Sequence, residues 1–199
     1  MVRWVVFDYG EVISRRTAAL PSLAAVLGAP PEDFEEVYFA ERDAYDRGCG
    51  DLPYWRAVGK RLGVRVDAAL AERLTRADVA GWLETAPGAV ELLDELHSDG
   101  VPLALLSNAP SSFGRAAEQQ PWARVFKHLL FSGDLQVAKP DAAIWRVLLD
   151  ALNAPPAECL FFDDREENVR GARRAGLHAE RWQGPDHARE VLRGHGVVL

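Results

Sequence analysis

The stretch Val5-Val6-Phe7-Asp8-Tyr9-Gly10-Glu11-Val12-Ile13 decides how this chain is read. The β-branched and aromatic run from Val5 to Phe7 delivers one carboxylate onto a glycine turn, the pattern of a buried strand closed by a turn. In open α/β sheets ligands bind beyond the carboxyl ends of such strands. Asp8 stands at that end and is expected to be presented there, not buried. Asp before a glycine is also ordinary turn chemistry, so the motif needs support from elsewhere in the chain.

A second apolar run, Cys159-Leu160-Phe161-Phe162, ends in Asp163-Asp164, and four residues after Asp164 Asn168 stands at the start of a helical pattern. Neighbouring parallel strands lie about 5 Å apart, a spacing that would bring Asp8 and Asp164 to one point. Carboxylates that close repel unless a cation compensates them, and an all-oxygen site with few protein ligands suits Mg2+, which keeps waters and meets substrate phosphate. A third run, Leu103-Ala104-Leu105-Leu106, leads into Ser107-Asn108-Ala109-Pro110, placing a hydroxyl and an amide where both can hydrogen-bond phosphate oxygens. After Leu129-Leu130-Phe131-Ser132, the segment Val137-Ala138-Lys139-Pro140-Asp141 sets a lysine immediately before a proline-started helix. A compact ammonium there can neutralise phosphate or the attacking carboxylate.

Between these landmarks the chain changes character. From about Thr17 to Thr85 it is rich in Ala, Leu, Glu and Arg and shows no convincing strand. Four helices are expected, near Thr17 to Leu27, Pro31 to Arg47, Leu52 to Leu62 and Asp67 to Trp82, broken at Gly28-Ala29-Pro30-Pro31, Gly48-Cys49-Gly50 and Gly63. Leu20, Leu23, Ala24 and Leu27 recur at helical spacing, as do Phe34, Val37, Tyr38 and Tyr45 less strictly, and both sets read as a bundle core. From Pro87 onward helix and strand alternate: Ala89 to Ser98 then Val101 to Ser107, Ala142 to Leu152 then Leu160 to Asp163, Glu166 to Ala175 then Leu177 to Trp182. Such alternation implies a doubly wound parallel (Rossmann-like) α/β sheet. A helical insert therefore interrupts the α/β core just after its first strand, as in domain insertions at exposed loops.

The order Asp8, Ser107-Asn108, Lys139, Asp163-Asp164 resembles motifs I to IV of the haloacid dehalogenase-like superfamily over nearly the whole chain. Within it the chain is similar to bacterial glucose-1-phosphate phosphatases and the phosphatase domain of soluble epoxide hydrolases, which also carry an Asp-Asp pair followed by Asn. The resemblance implies that Asp8 is the nucleophile that forms an aspartyl-phosphate and a Mg2+ ligand, joined in the metal site by the Gly10 carbonyl and Asp164. It further implies that Ser107 and Asn108 hold the transferring phosphoryl group, that Lys139 orients Asp8 and offsets charge, and that Asp163 and Asn168 support the ligands from behind. Residues 15–85 resemble the family's helical C1 cap, here a four-helix cap inserted into a core domain of residues 1–14 and 86–199, with hinges near Ser14-Arg15 and Thr85-Pro87. Carboxylate attack splits one hard displacement into two easier ones, while cations stabilise the equatorial oxygens.

One position departs from the family's pattern. Most of its phosphatases carry a second Asp two residues after the nucleophile, which protonates the leaving group and later activates water; here that residue is Gly10. Glu11 is adjacent, but neighbours on an extended strand point to opposite faces, and glycine reads as a turn residue with permitted positive φ. The general acid is left unassigned. The expected activity is a Mg2+-dependent phosphomonoesterase acting on a small soluble phosphorylated metabolite, with a sugar 1-phosphate as the candidate. Two rivals stand beside it: a catalytically silent relative serving as a regulatory or interaction protein, and a 2-haloacid dehalogenase, whose reaction needs no metal.

The 199 residues are 48% hydrophobic and 27% charged, which suits a soluble globular chain with one full core and an accessory unit. A net charge of -7 without a Lys/Arg block beyond Arg15-Arg16 and Arg173-Arg174 argues against nucleic acid as a partner. Cys49 and Cys159 read as reduced thiols, and with no basic leader and no apolar run of about 18 residues the expectation is a cytoplasmic protein without membrane attachment. The five histidines show no metal-ligand spacing. Candidate cap contacts to substrate are Arg15, Arg16, Tyr45, Tyr54 and Trp55, each with a competing reading as packing or solvated surface. Oligomeric state is left open.

Overall fold

Five short runs pair into one all-parallel sheet of order β3-β2-β1-β4-β5 in a computed structural model that describes residues 1–197. The strands are β1 (Trp4–Phe7), β2 (Leu103–Ser107), β3 (Phe126–Phe131), β4 (Cys159–Asp163) and β5 (His178–Arg181). β1, β2 and β4 are buried along their whole length. That is why they read as continuous apolar runs: a parallel sheet covered on both faces has no solvated side to encode.

Side-chain alternation sorts these runs onto the two faces. Val5, Phe7, Leu103, Leu105 and Phe162 pack with Leu92, Leu93 and Leu96 of α6 (Pro87–Ser98) and with Ala188 and Leu192 of α11 (Pro185–Gly194). Trp4, Val6, Ala104, Leu106 and Phe161 pack with Ile144, Trp145 and Leu148 of α9 (Ala142–Leu152) and with Val169 and Ala172 of α10 (Glu166–Arg174). The sheet is thus doubly wound. Its strand order reverses between β1 and β4, the crevice where such sheets place ligands.

The insert between β1 and α6 builds five helices where the periodicity predicts four: α1 (Leu20–Leu27), α2 (Pro31–Ala40), α3 (Arg42–Asp46), α4 (Asp51–Arg61) and α5 (Ala68–Trp82). They share their own core, with Leu20, Leu23, Leu27, Phe34, Tyr38, Trp55 and Leu74 all buried. The expected helix Pro31 to Arg47 is broken at Glu41, and the break turns the following segment onto the α/β unit. There Arg47 Nη1 meets Asp141 Oδ2 at 2.7 Å, Tyr45 Oη lies 3.2 Å from Ser112 Oγ, and Ser132 Oγ donates to the Asp46 carbonyl. At the neck of the insert Ser14 and Thr85 form an antiparallel bridge, flanked by Arg15 N to Glu84 O at 2.9 Å and Ala86 N to Ile13 O at 2.8 Å.

Other boundaries shift as well. The first insert helix starts at Leu20, not Thr17. Helix α9 starts at Ala142, not at Pro140, because Asp141 is extended and Pro140 lies in the preceding turn, against Gly171. Three helices lie outside the alternating pattern: α7 (Ser111–Ala117), α8 (Ser132–Leu135) and α11.

The contact between insert and α/β unit runs through Gly48, whose φ is 92° and where an added Cβ would lie 2.6 Å from the Gly133 carbonyl oxygen. Gly48→Ala is expected to lower stability by about 1–3 kcal/mol through backbone strain and this clash, read as a fall in the urea midpoint. A change below about 0.5 kcal/mol would show that the junction yields freely.

Candidate active site

The end of β1 and the end of β4 meet in register: Phe7 pairs with Phe162, and Asp8 N donates to Phe162 O at 2.9 Å. Oxygens of Asp8, Asp163 and Asp164 all lie within 4.8 Å of one another. Between them stands Lys139, whose Nζ is 2.7 Å from Asp8 Oδ1 and 2.7 Å from Asp163 Oδ2. Asp8 is only 7% exposed, so it lies in a roofed site and is not presented as the strand-end position predicts; the insert above and Lys139 beside it remove it from bulk water.

The three carboxylates are not equivalent. Asp163 is fully buried and used up within the protein: its oxygens accept from Lys139 Nζ, from Arg165 N at 2.8 Å and from Asn168 Nδ2 at 3.0 Å. Asp8 has one oxygen on Lys139, while the half-buried Asp164 carboxylate accepts no hydrogen bond among the described residues. Burial pushes the Asp8 carboxyl up to about 7, with Lys139 opposing and Asp163 and Asp164 adding to the rise. Asp164 is pushed up to about 6 by burial, then by Asp163 and Glu11. Burial works against the charge on Lys139, but Asp163 and Asp8 outweigh it and hold the ammonium above its ordinary range.

The β2 end contributes Ser107, buried and lining the same cavity with its hydroxyl unpaired among the described residues. The Asn108 side chain is already engaged: Nδ2 donates to Lys139 O and Oδ1 accepts from Lys139 N, both at 2.9 Å. This pairing clamps the lysine loop to the end of β2.

Gly10 and Glu11 depart from expectation. Gly10 does not have positive φ, and an added Cβ would meet only Trp82 Cζ3 at 4.0 Å, an ordinary contact. Neither backbone nor space demands glycine there. Glu11 carries the positive φ, 54°, in a turn and not on a strand, so the opposite-face argument does not apply and its side chain lines the cavity.

The cavity measures about 320 Å3 and is roofed by Phe39, Arg42, Asp46, Asp78, Val79 and Trp82. None of the five candidate cap contacts lines it. Tyr45, Tyr54 and Trp55 are buried in the helical core, Arg16 pairs with Glu35 and Arg15 is exposed. The readable signal for the true lining was Asp78, a carboxylate on the buried stripe Ala71, Leu74, Thr75, Asp78 of α5.

A family model for haloacid dehalogenase-like hydrolases matches residues 3–176. The chain belongs to the haloacid dehalogenase-like hydrolases. Among curated members of this family it is 28% identical over 201 residues to "Phosphoglycolate phosphatase 1" of Pseudomonas aeruginosa, covering 95% of this chain and 72% of that protein. A crystal structure of a dehalogenase is 25% identical with a TM-score of 0.72, covering 92% of this chain and 85% of that one. The fold also matches a family enzyme of Bacteroides thetaiotaomicron solved with magnesium and inorganic phosphate, at 17% identity and a TM-score of 0.72, over 92% of this chain and 96% of that one.

Lys139→Met leaves Asp8 and Asp163 buried without a counter-ion and is expected to cost about 3–5 kcal/mol. With the ammonium gone the Asp8 carboxyl, already pushed up by burial, holds its proton to higher pH in the folded state than in the unfolded one, so the loss should grow from about pH 5 to about pH 8. Urea unfolding at the two pH values measures it. An equal loss at both would show that the lysine's packing, not its charge, matters.

Proposed function

We propose that this hydrolase is a Mg2+-dependent phosphomonoesterase acting on a small soluble phosphate ester, a sugar 1-phosphate in particular, through an aspartyl-phosphate on Asp8. Residues 1–14 and 86–199 serve as the catalytic core domain and residues 15–85 as its cap. The observation that carries the reading is the charge count at the strand ends: three carboxylates face one ammonium, and the two charges left over match a divalent cation. The donor set fits too, being all oxygen with Asp8 and Asp164 only partly engaged, and the buried Asn168 Oδ1 has no partner, as a group awaiting a metal-bound water would. Asp8, Asp164 and the Gly10 carbonyl would hold the ion, which when bound supplies charge to the phosphoryl oxygens. A carbon–halogen displacement would leave that charge uncompensated.

In the proposed reaction an Asp8 oxygen attacks phosphorus as the bond to the leaving oxygen breaks. Lys139 fixes the other oxygen of Asp8, which sets the angle of attack. Ser107 Oγ and the Asn108 N–H hold the equatorial oxygens, and Asn108's side chain keeps Lys139 in place. Asp163 and Asn168 orient Lys139 and the rim of the site. Water then attacks phosphorus, releasing inorganic phosphate and restoring Asp8.

Hydrolysis of an aryl phosphate with and without Mg2+ tests the reading: turnover should need the ion, and Asp8→Asn should abolish it, since the amide is nearly isosteric but cannot attack. Activity of folded Asp8→Asn within a few-fold of wild type would remove Asp8 as the nucleophile. Absence of turnover in the wild type with Mg2+ present would favour a silent binding protein.

Gly10 supports the 1-phosphate assignment. A positioned acid contributes about 10²–10⁴ in rate, and without one at position 10 esters with better leaving groups gain. Sugar 1-phosphates should outrun 6-phosphates of the same sugar in kcat/KM. Because a Cβ fits at position 10, Gly10→Asp should fold normally and flatten the series. A flat wild-type series would assign the proton to another carboxyl of the cavity.

A further inference from the structure

The roof of the cavity is built around one guanidinium. Arg42 Nη2 lies 2.9 Å from Asp46 Oδ1, and its Nη1 lies 2.9 Å from Tyr38 Oη and 3.4 Å from Asp78 Oδ2. Its Cζ stands 5.4, 5.2 and 5.9 Å from the ring centroids of Tyr38, Tyr45 and Tyr54. Asp78 is itself fixed by Tyr38 Oη at 2.6 Å. The fork of Arg42 is therefore spent on two carboxylates and its face on three rings.

The other cations of the cavity are spent as well. Lys139 bridges Asp8 and Asp163, and Arg165 pairs with Glu167 at 3.0 Å. With Asp8 and Asp164 assigned to the metal and to Lys139, the cavity wall still sets three carboxylates, Glu11, Asp46 and Asp78, against Arg42 and Arg165. What the roof sets beside the apolar surfaces of Phe39, Val79 and Trp82 is net carboxylate charge: Asp78 is buried with one oxygen on Tyr38 and the other on Arg42, and Asp46 is paired through Oδ1 alone. Carboxylates accept hydrogen bonds from hydroxyl groups, whereas an unpaired carboxylate brought against them costs several kcal/mol.

Resting on the phosphomonoesterase reading above, we propose that Asp46 and Asp78, held by Arg42, are specificity-determining residues that select esters whose leaving alcohol is an uncharged polyol and reject those whose leaving alcohol carries a carboxylate. The preference then belongs to the roof and not to the phosphoryl site, which all phosphate esters share. It also sets this chain apart in selectivity from its relative named for phosphoglycolate.

The test compares kcat/KM for p-nitrophenyl phosphate, glucose 1-phosphate and phosphoglycolate in wild type, Asp46→Asn and Asp78→Asn. Wild type should favour glucose 1-phosphate over phosphoglycolate by at least about tenfold, and either substitution, by freeing part of the Arg42 fork and removing a charge, should narrow that ratio by about tenfold. Hydrolysis of the aryl phosphate should persist in all three. Thermal melting identifies a variant that does not fold; the wild-type ratio and the other variant then decide. A wild type that cleaves p-nitrophenyl phosphate yet uses phosphoglycolate as well as glucose 1-phosphate overturns the proposal, as does a ratio that neither folded variant moves. Failure to cleave p-nitrophenyl phosphate at all overturns the phosphomonoesterase reading itself.

Discussion

The ammonium of Lys139, 2.7 Å from both Asp8 and Asp163 in a water-poor site, is the interaction on which the rest of the structure depends. It ties together three strand ends: β1 through Asp8, β4 through Asp163, and β2 through the Asn108 amide that grips the Lys139 peptide. Burying charge is costly, and a buried pair holds only where geometry and further hydrogen bonds satisfy it. Here Arg165 N and Asn168 complete Asp163. One ammonium cannot satisfy three carboxylates, so the same cluster that is held together on one side is left short of positive charge on the other.

That imbalance connects fold to chemistry. The doubly wound sheet reverses direction between β1 and β4, and the crevice formed there is where Asp8 and Asp164 lie with the least internal satisfaction. Asp163, one residue earlier, is turned into the protein and supports Lys139. Adjacent residues at a strand end point to opposite sides of the chain, so the Asp-Asp pair divides into one inward anchor and one outward carboxylate.

The helical insert supplies the roof of the cavity. It is joined to the sheet at a narrow neck, Ser14 and Thr85, yet it also presses on the α/β unit through α3 and Gly48. Its roof carries a guanidinium neutralised by its own neighbours, so its contribution to the cavity is polar and net acidic, not cationic. On the proposed reading, phosphoryl chemistry and the fit of the leaving alcohol fall to different parts of the chain.

The sequence by itself determined the parts that depend on local pattern. Buried parallel strands must be apolar throughout, so β1, β2 and β4 were legible, and with them the Asp8, Ser107-Asn108 and Asp163-Asp164 segments at their ends. Helical spacing likewise exposed the bundle core at Leu20, Leu23, Leu27, Phe34 and Tyr38. Tertiary structure alone decided what depends on contacts distant in the chain. The break at Glu41 has no strong local breaker and follows from the docking of α3 on Ser112, Ser132 and Asp141. The burial of Asp8 depends on a roof built from residues 31 to 74 positions away, and Glu11 reaches the cavity because residues 10 to 13 turn after the strand ends. The lining residues Arg42 and Asp46 resemble surface charges in a one-dimensional pattern, whereas Asp78 stands out only by falling on the buried stripe of α5. Only the packing of α3 against α5 and the tyrosine rings gives them a shared wall, because ion pairing across a tertiary contact leaves no period in the sequence.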